Sequence, residues 1–145
     1  MYVRECMTGQ PMTLQATQSI QAAARTMREC DVGVVPVLVE DRLVGILTDR
    51  DIVVRGIATG LELENHQIQE IMTLDPKTVR PGTSFEEAAE IMAQSKVRRL
   101  PVVEDGKLVG MISLGDMAVA HKGHEDLCGV VLEHVSEPIG PKCVM

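Results

Sequence analysis

Residues 33–51 read GVVPVLVEDRLVGILTDRD, and residues 98–116 read RRLPVVEDGKLVGMISLGD. Extended outward at the same shift, positions 5–54 match positions 70–119 without a gap, with 17 of 50 pairs identical. The identities fall on apolar, turn and charged positions alike, so shared amphipathic periodicity does not account for them. The chain is a duplicated unit. Because each copy alone buries little surface, we expect the two to pack face to face about a pseudo-twofold seam.

Each copy opens with a helix. Ser19 and Ser84 are predicted N-caps, and they precede IQAAARTMREC and FEEAAEIMAQS, in which apolar residues recur at helical spacing. A short extended piece comes before each helix, around Thr13-Leu14 in the first copy and Thr78-Val79 in the second.

A hairpin and a second helix complete each copy. VVPVLVEDRLVGILT and LPVVEDGKLVGMIS each predict two strands joined by a tight turn. The segments that follow, DRDIVVRGIATG and LGDMAVAHKG, predict helices that Gly60 and Gly123 end. The sequence therefore predicts an α+β fold made of two β-α-β-β-α repeats.

Composition limits the possible partners. The 145 residues are 45% apolar, and only Tyr2 and Phe85 are aromatic, which predicts one compact body with an aliphatic core. A net charge of -7 and a pI near 5.0 disfavour nucleic acid. No apolar run is long enough for a membrane span, and MYVRECMTGQ does not resemble a signal peptide. A cytoplasmic protein with no membrane partner is expected.

The repeats resemble tandem CBS (cystathionine beta-synthase type) domains, in particular the stand-alone bacterial pairs. CMTGQPMTL and IMTLDPKTV at the start of each copy carry the resemblance, together with the two hairpin stretches and the TDRD and LGD that follow them. It implies one CBS domain at 3–62 and a second at 66–123. The tail at 124–145 contains a possible short helix, EDLCGVVLEHV.

The resemblance also implies a function. In the CBS pairs that this chain resembles, two clefts between the repeats commonly hold AMP, ADP, ATP or S-adenosylmethionine. Such pairs often form homodimers. In larger proteins they regulate an attached enzyme or transporter. The expectation for this chain is a sensor that needs no cofactor and acts in trans on an unknown regulated protein.

Asp51 and Asp116 occupy the family's ribose-binding position. A carboxylate can accept hydrogen bonds from both ribose hydroxyls, and the hydroxyls of Thr48 and Ser113, three residues earlier, can bond the ribose or the α-phosphate. The helix starts at these pairs also favour a phosphate. The alternative is that all four residues are only helix caps, since Asp, Thr and Ser are preferred there.

The resemblance places the adenine against the strands at Val35-Pro36-Val37 and Leu100-Pro101-Val102, with backbone groups near Thr13 and Thr78 reading the base edge. The alternative is that these apolar strand residues are simply core.

Arg98 and Arg99 stand where the family places residues that face phosphate, and Arg50 is a second candidate for its own cleft. The alternative is that they are solvated surface charges. The first copy has Gly33-Val34 in place of Arg98-Arg99, so the sequence predicts two unlike clefts.

Two other functions stay open. No catalytic motif is present, and His121 and His124 alone do not complete a metal site, so neither an enzyme nor a metal centre is expected. A CBS pair could instead serve as a dimerisation or docking module without a ligand. It could also be a thiol-linked sensor using some of the four cysteines, Cys6, Cys30, Cys128 and Cys143, which we otherwise expect to be reduced and incidental.

Overall fold

The computed structural model describes residues 1–120 and 125–136. Within these ranges the helices are α1 (Ile20–Cys30), α2 (Asp49–Asp51, continued by π-helical turns at Ile52–Ile57), α3 (Phe85–Ser95), α4 (Leu114–Ala120) and α5 (Glu125–Ser136). The strands are β1 (Thr8–Gly9), β2 (Leu14–Gln15), β3 (Val34–Val39), β4 (Arg42–Thr48), β5 (Thr73–Leu74), β6 (Arg99–Glu104) and β7 (Lys107–Ser113). The predicted α+β class is confirmed.

The two serine N-caps are also confirmed. The Oγ atom of Ser19 accepts a hydrogen bond of 3.1 Å from the backbone N–H three residues later, and that of Ser84 accepts one of 3.2 Å. Both helices end at a residue in the left-handed region, Asp31 with φ of 52° and Lys96 with φ of 54°. The helices α1 and α3 therefore begin and end at equivalent positions of the two repeats.

Each predicted hairpin is antiparallel and has a two-residue turn. Glu40 and Asp41 join β3 to β4, and Asp105 and Gly106 join β6 to β7. The first residue of each turn has a positive φ, 56° at Glu40 and 52° at Asp105. Such turns match the right-handed twist of the strands that they connect.

The segments that lead the two repeats pair with each other's hairpins. β1, from the start of the first repeat, pairs antiparallel with β7, with Thr8 opposite Met111. β5, from the start of the second repeat, pairs in the same way with β4, with Thr73 opposite Ile46. The repeats therefore exchange their leading segments.

Because of this exchange, the described residues form two compact units that do not follow the chain order. The first unit contains Gln10–Pro76 and Asp105–Leu108. The second contains Met1–Gly9, Lys77–Glu104 and the described residues from Val109 onward.

Each unit has its own apolar core. Val3, from the leading segment, is fully buried in the core of the second unit, and Ile68 is fully buried in that of the first. The exchanged segments therefore supply apolar side chains as well as strand hydrogen bonds, and they are integral parts of the units that they join.

The ends of the second helices and the tail are described only in part. In the first repeat the helix ends at Ile57, and Gly60 follows with φ of 82°, as expected for a glycine that ends a helix. The helix predicted in the tail is present as α5, with Cys128 and Val131 buried in the core of the second unit. His121, Gly123, His124 and Cys143 lie outside the described residues. No helix in the described part of the chain is long and apolar enough to cross a membrane.

Candidate ligand-binding sites

A hydroxyl and a carboxylate meet where each hairpin passes into its helix. Asp51 N–H donates to Thr48 Oγ1 over 3.0 Å, and Thr48 N–H donates to Asp51 Oδ2 over 3.0 Å. Ser113 and Asp116 make the same reciprocal pair, over 3.0 and 3.2 Å. These bonds form capping boxes, so all four residues cap their helices, and their predicted ligand contacts stay a prediction. Each pair uses one carboxylate oxygen, which leaves the other for further bonds.

The carboxylate of Asp51 is surrounded by groups of its own unit. Asp51 is only 8% exposed. Its Oδ2 atom accepts a second hydrogen bond, of 3.4 Å, from Thr73 Oγ1, and its Oδ1 atom lies 4.0 Å from Arg55 Nε. Arg55 Nη1 also donates to the carbonyls of Ile71 and Met72, at 3.4 Å each. Arg55 and the exchanged segment together close over the Asp51 carboxylate.

The carboxylate of Asp116 has fewer neighbours. Asp116 is half-buried, and Ala120 stands at the position equivalent to Arg55. Across residues 1–120 and 125–136, no ion pair to Asp116 is present. Among the described residues, the hydrogen bond to the Asp116 carboxylate comes from Ser113 N–H to Oδ2, which leaves Oδ1 without one.

Cys6 lies near Asp116. Burial, followed by the negative charges of Asp116 and Glu5, raises the pKa of the Cys6 thiol to about 11. Burial also raises the pKa of Cys128. Thiolate is the reactive form of cysteine, so these two thiols are poorly suited to redox sensing near neutral pH. Cys6, Cys30 and Cys128 are all free thiols.

The two units differ most where a phosphate is predicted to bind. Asp49 N–H donates to the Gly33 carbonyl over 3.0 Å, and Leu114 N–H donates equivalently to the Arg98 carbonyl over 2.8 Å. In the first unit the Asp49 carboxylate covers Gly33 so closely that a Cβ there would lie 3.1 Å from Oδ2. In the second unit the residue equivalent to Gly33 is Arg98, which is exposed, as is its neighbour Arg99.

The strand residues predicted to face adenine are buried. Val35 and Leu100 are 0% and 1% exposed and belong to the two cores, and Pro36 and Pro101 are buried beside them. The core interpretation therefore describes the side chains of Val35 and Leu100. These strand segments can therefore contact a base chiefly through their backbone N–H and C=O groups.

The two predicted threonines lie beside these strands. Thr78 is exposed, and the next residue, Val79, donates its N–H to the Pro101 carbonyl over 3.0 Å. Thr13 is half-buried and lines a cavity of about 420 Å³ in the first unit. The other predicted binding residues do not line this cavity, whose remaining lining residues are Gln10, Pro11, Leu38, Asp41, Lys107 and Leu108. This cavity therefore does not bring Thr13 together with Thr48 and Asp51.

The CBS domain family matches residues 3–56 and 68–123 of the chain. This chain belongs to the CBS domain family. The CBS domain-containing protein YhcV of Bacillus subtilis is 39% identical over 134 residues, which are 92% of this chain and 94% of YhcV.

Two crystal structures extend the comparison. CBSX2 in complex with AMP is 29% identical with a TM-score of 0.72, over 82% of this chain and 94% of CBSX2. Hypoxic Response Protein I with two coordinated zinc ions is 33% identical with a TM-score of 0.77, over 83% of this chain and 99% of that protein. In the described part of this CBS pair, no three His, Cys, Asp or Glu side chains converge as a metal site would require.

Sequence reasoning missed two neighbours of the CBS carboxylates. Arg55 follows Asp51 by four residues, a spacing at which opposite charges meet on a helix, so a signal for it was present. Thr73 lies 22 residues from Asp51 and reaches it only because the leading segments are exchanged. No local pattern in the sequence indicated that contact.

Proposed function

We propose that this CBS pair is a regulatory module, not an enzyme, which binds an adenosyl ligand and acts on a separate protein. The ligand is AMP, ADP, ATP or S-adenosylmethionine, and no cofactor is required. The observation that supports this most strongly is the hydroxyl–carboxylate pair repeated in both units, with one Asp116 carboxylate oxygen free of hydrogen bonds from the described residues. The AMP complex of the related CBSX2 supports the same ligand class.

The ligand's predicted contacts follow from the geometry of each pair. A ribose presents two adjacent hydroxyl donors, and a carboxylate held by its own cap is oriented to accept from them. Because Val35 and Leu100 are core residues, the adenine would meet strand backbone, which can read its hydrogen-bonding edge. Arg98 and Arg99 supply positive charge for a phosphate.

Isothermal titration calorimetry with the four ligands tests the proposal, on protein first shown by absorbance to be free of bound nucleotide. Saturable binding of at least one ligand is expected, and Asp116→Asn should abolish it or weaken it strongly. Asp31→Asn is the matched control, because Asp31 is exposed at the end of α1 and asparagine tolerates its left-handed φ. Absence of binding for all four ligands would refute the proposal.

A docking function has its own supporting observation, an exposed apolar strip on α2. The adjacent residues Val53 and Val54 are exposed, and so is Ile57, at 56%, about one helical turn later. Exposed apolar patches are typical of protein contacts. We propose a second copy of the chain as the partner, in a homodimer compatible with ligand binding.

Sedimentation velocity of the wild type and of Ile57→Glu tests the dimer. A dimeric wild type and a monomeric variant are expected. Val39→Glu is the control, since Val39 is comparably exposed, at 48%, on β3. A monomeric wild type would refute the proposed homodimer.

A further inference from the structure

Resting on the proposed function, we propose that a phosphate-bearing adenosyl ligand binds only at the Ser113–Asp116 pair. The Thr48–Asp51 pair is closed to such a ligand by side chains of its own unit. The duplicated sequence therefore encodes one nucleotide site and one site that has become part of the scaffold.

The ribose position in the first unit is already occupied by protein groups. Asp51 is 8% exposed, with Thr48 N–H at 3.0 Å, Thr73 Oγ1 at 3.4 Å and Arg55 Nε at 4.0 Å from its oxygens. A ribose would have to compete with Thr73 for Oδ2 and with the Arg55 guanidinium for Oδ1, at a carboxylate that is already largely buried. Losing the Thr73 hydrogen bond and the Arg55 charge contact would offset part of the affinity that the ribose bonds contribute.

By burial and by the described groups around its carboxylate, the ribose position in the second unit is more open. Asp116 is half-buried, and its hydrogen bond from the described chain comes from Ser113 N–H at 3.2 Å. Ala120 in place of Arg55 leaves the carboxylate charge without a cation at that position. Within the described residues, a ribose can therefore bond this carboxylate without displacing a side chain that is hydrogen-bonded or ion-paired to it.

The charges near the predicted phosphate position also favour the second unit as the binding site. In the first unit the Asp49 carboxylate lies over Gly33. Gly33 is the position equivalent to Arg98 in the second unit. A phosphate near Gly33 would meet a like charge, whereas the second unit carries the exposed arginines Arg98 and Arg99 at the equivalent positions. Leu114, which replaces Asp49, adds no opposing charge.

Arg50 is the exposed cation that could oppose this assignment. Its backbone N–H donates to Asp49 Oδ1 over 2.9 Å, so it stands beside the acidic group on the same turn. The Asp49 carboxylate offsets the charge that Arg50 would present to a phosphate. Arg50 is thus a direct probe of whether the first pair binds nucleotide.

AMP titrations by calorimetry decide between the two pairs. We expect one AMP per chain, no detectable binding in Asp116→Asn, and a Kd within about twofold of the wild type in Asp51→Asn. Thermal unfolding of each variant shows whether it is folded.

Two matched arginine variants keep the test valid if Asp51→Asn does not fold. Arg98→Ala and Arg50→Ala remove exposed side chains next to the two pairs, so neither disturbs a core. We expect Arg98→Ala to raise the Kd for AMP about tenfold, the usual effect of losing one charge-assisted bond. Arg50→Ala should leave it unchanged.

The possible outcomes separate this inference from the proposed function. Two AMP molecules per chain would overturn the inference while the adenosyl-ligand function stands. Binding that survives Asp116→Asn and is lost in Arg50→Ala or in folded Asp51→Asn would do the same. Absence of binding for AMP, ADP, ATP and S-adenosylmethionine alike would refute both.

Discussion

Gly110 of β7 faces the exchanged segment so closely that the substitution Gly110→Ala tests whether β1 really lies there. Gly110 pairs with Gly9 of β1. A Cβ added at Gly110 would lie 2.8 Å from the carbonyl oxygen of Thr8 and 3.0 Å from the sulfur of Met7. The Met7 side chain can rotate away, but the carbonyl oxygen belongs to the paired strand and moves only with it.

The expected magnitude follows from that contact. Restoring an ordinary separation of 3.4 Å requires β1 to move by about 0.6 Å away from β7. β1 has only two residues, so the shift strains or breaks most of its ladder. Overpacking of this kind lowers the free energy of unfolding by about 1–3 kcal/mol. With a urea m-value of roughly 2 kcal/mol/M, the midpoint should fall by roughly 0.5–1.5 M.

Urea unfolding followed by circular dichroism measures this change. Gly9→Ala is a close control, because it makes the same substitution directly across the strand pair, where an added Cβ meets nothing within 4 Å. We expect the control to change the free energy by less than about 0.5 kcal/mol. Equal midpoints for the two variants would show that β1 does not pair with β7 in this register.

Four further predictions concern a helix cap, a thiol, the carboxylate beside that thiol and a helix glycine. Ser84→Ala should lower the free energy of unfolding by about 1 kcal/mol, measured in urea, because the N-cap bond of α3 is lost. The raised pKa of Cys6 contributes stability that is complete below pH 9.0 and is lost as the pH rises towards about 11, so a Cys6→Ala variant should lose less stability over that range in urea titrations. Asp116→Asn should lower the pKa of Cys6 yet leave it raised, because burial is the larger cause; the pH dependence of alkylation, with the other cysteines replaced by alanine, measures it. Gly129→Ala in α5 should raise the melting temperature, since an added Cβ meets nothing within 4 Å and alanine favours helix by up to about 1 kcal/mol.

The duplicated pattern predicted most of the local structure. Ser19 and Ser84 begin α1 and α3 because a hydroxyl in that position satisfies a free N–H of the first turn. Glu40-Asp41 and Asp105-Gly106 join the hairpins because a two-residue turn keeps the paired strands in register. Such features depend on neighbours within a few residues, so a single sequence contains the information for them.

Part of the candidate site was also readable from the sequence. The hydroxyl and carboxylate of each pair are three residues apart at a helix start, where such side chains bond each other's backbone. Their roles in ligand binding rest on the family resemblance and remain predictions. Local spacing cannot distinguish a carboxylate held only as a cap from one held for a ribose.

By itself, then, the sequence determined the duplication, the order of elements in each repeat and the caps and turns that bound them. Only the tertiary structure decided that the leading segments are exchanged, which brings Thr73 to Asp51 and Cys6 close to Asp116. It also showed that Asp51 is closed over by Arg55 while Asp116 stays half-open. The physical reason is that the contacts of Thr73 with Asp51 and of Cys6 with Asp116 join groups far apart in the chain. Which of these groups meet depends on how whole apolar faces are buried.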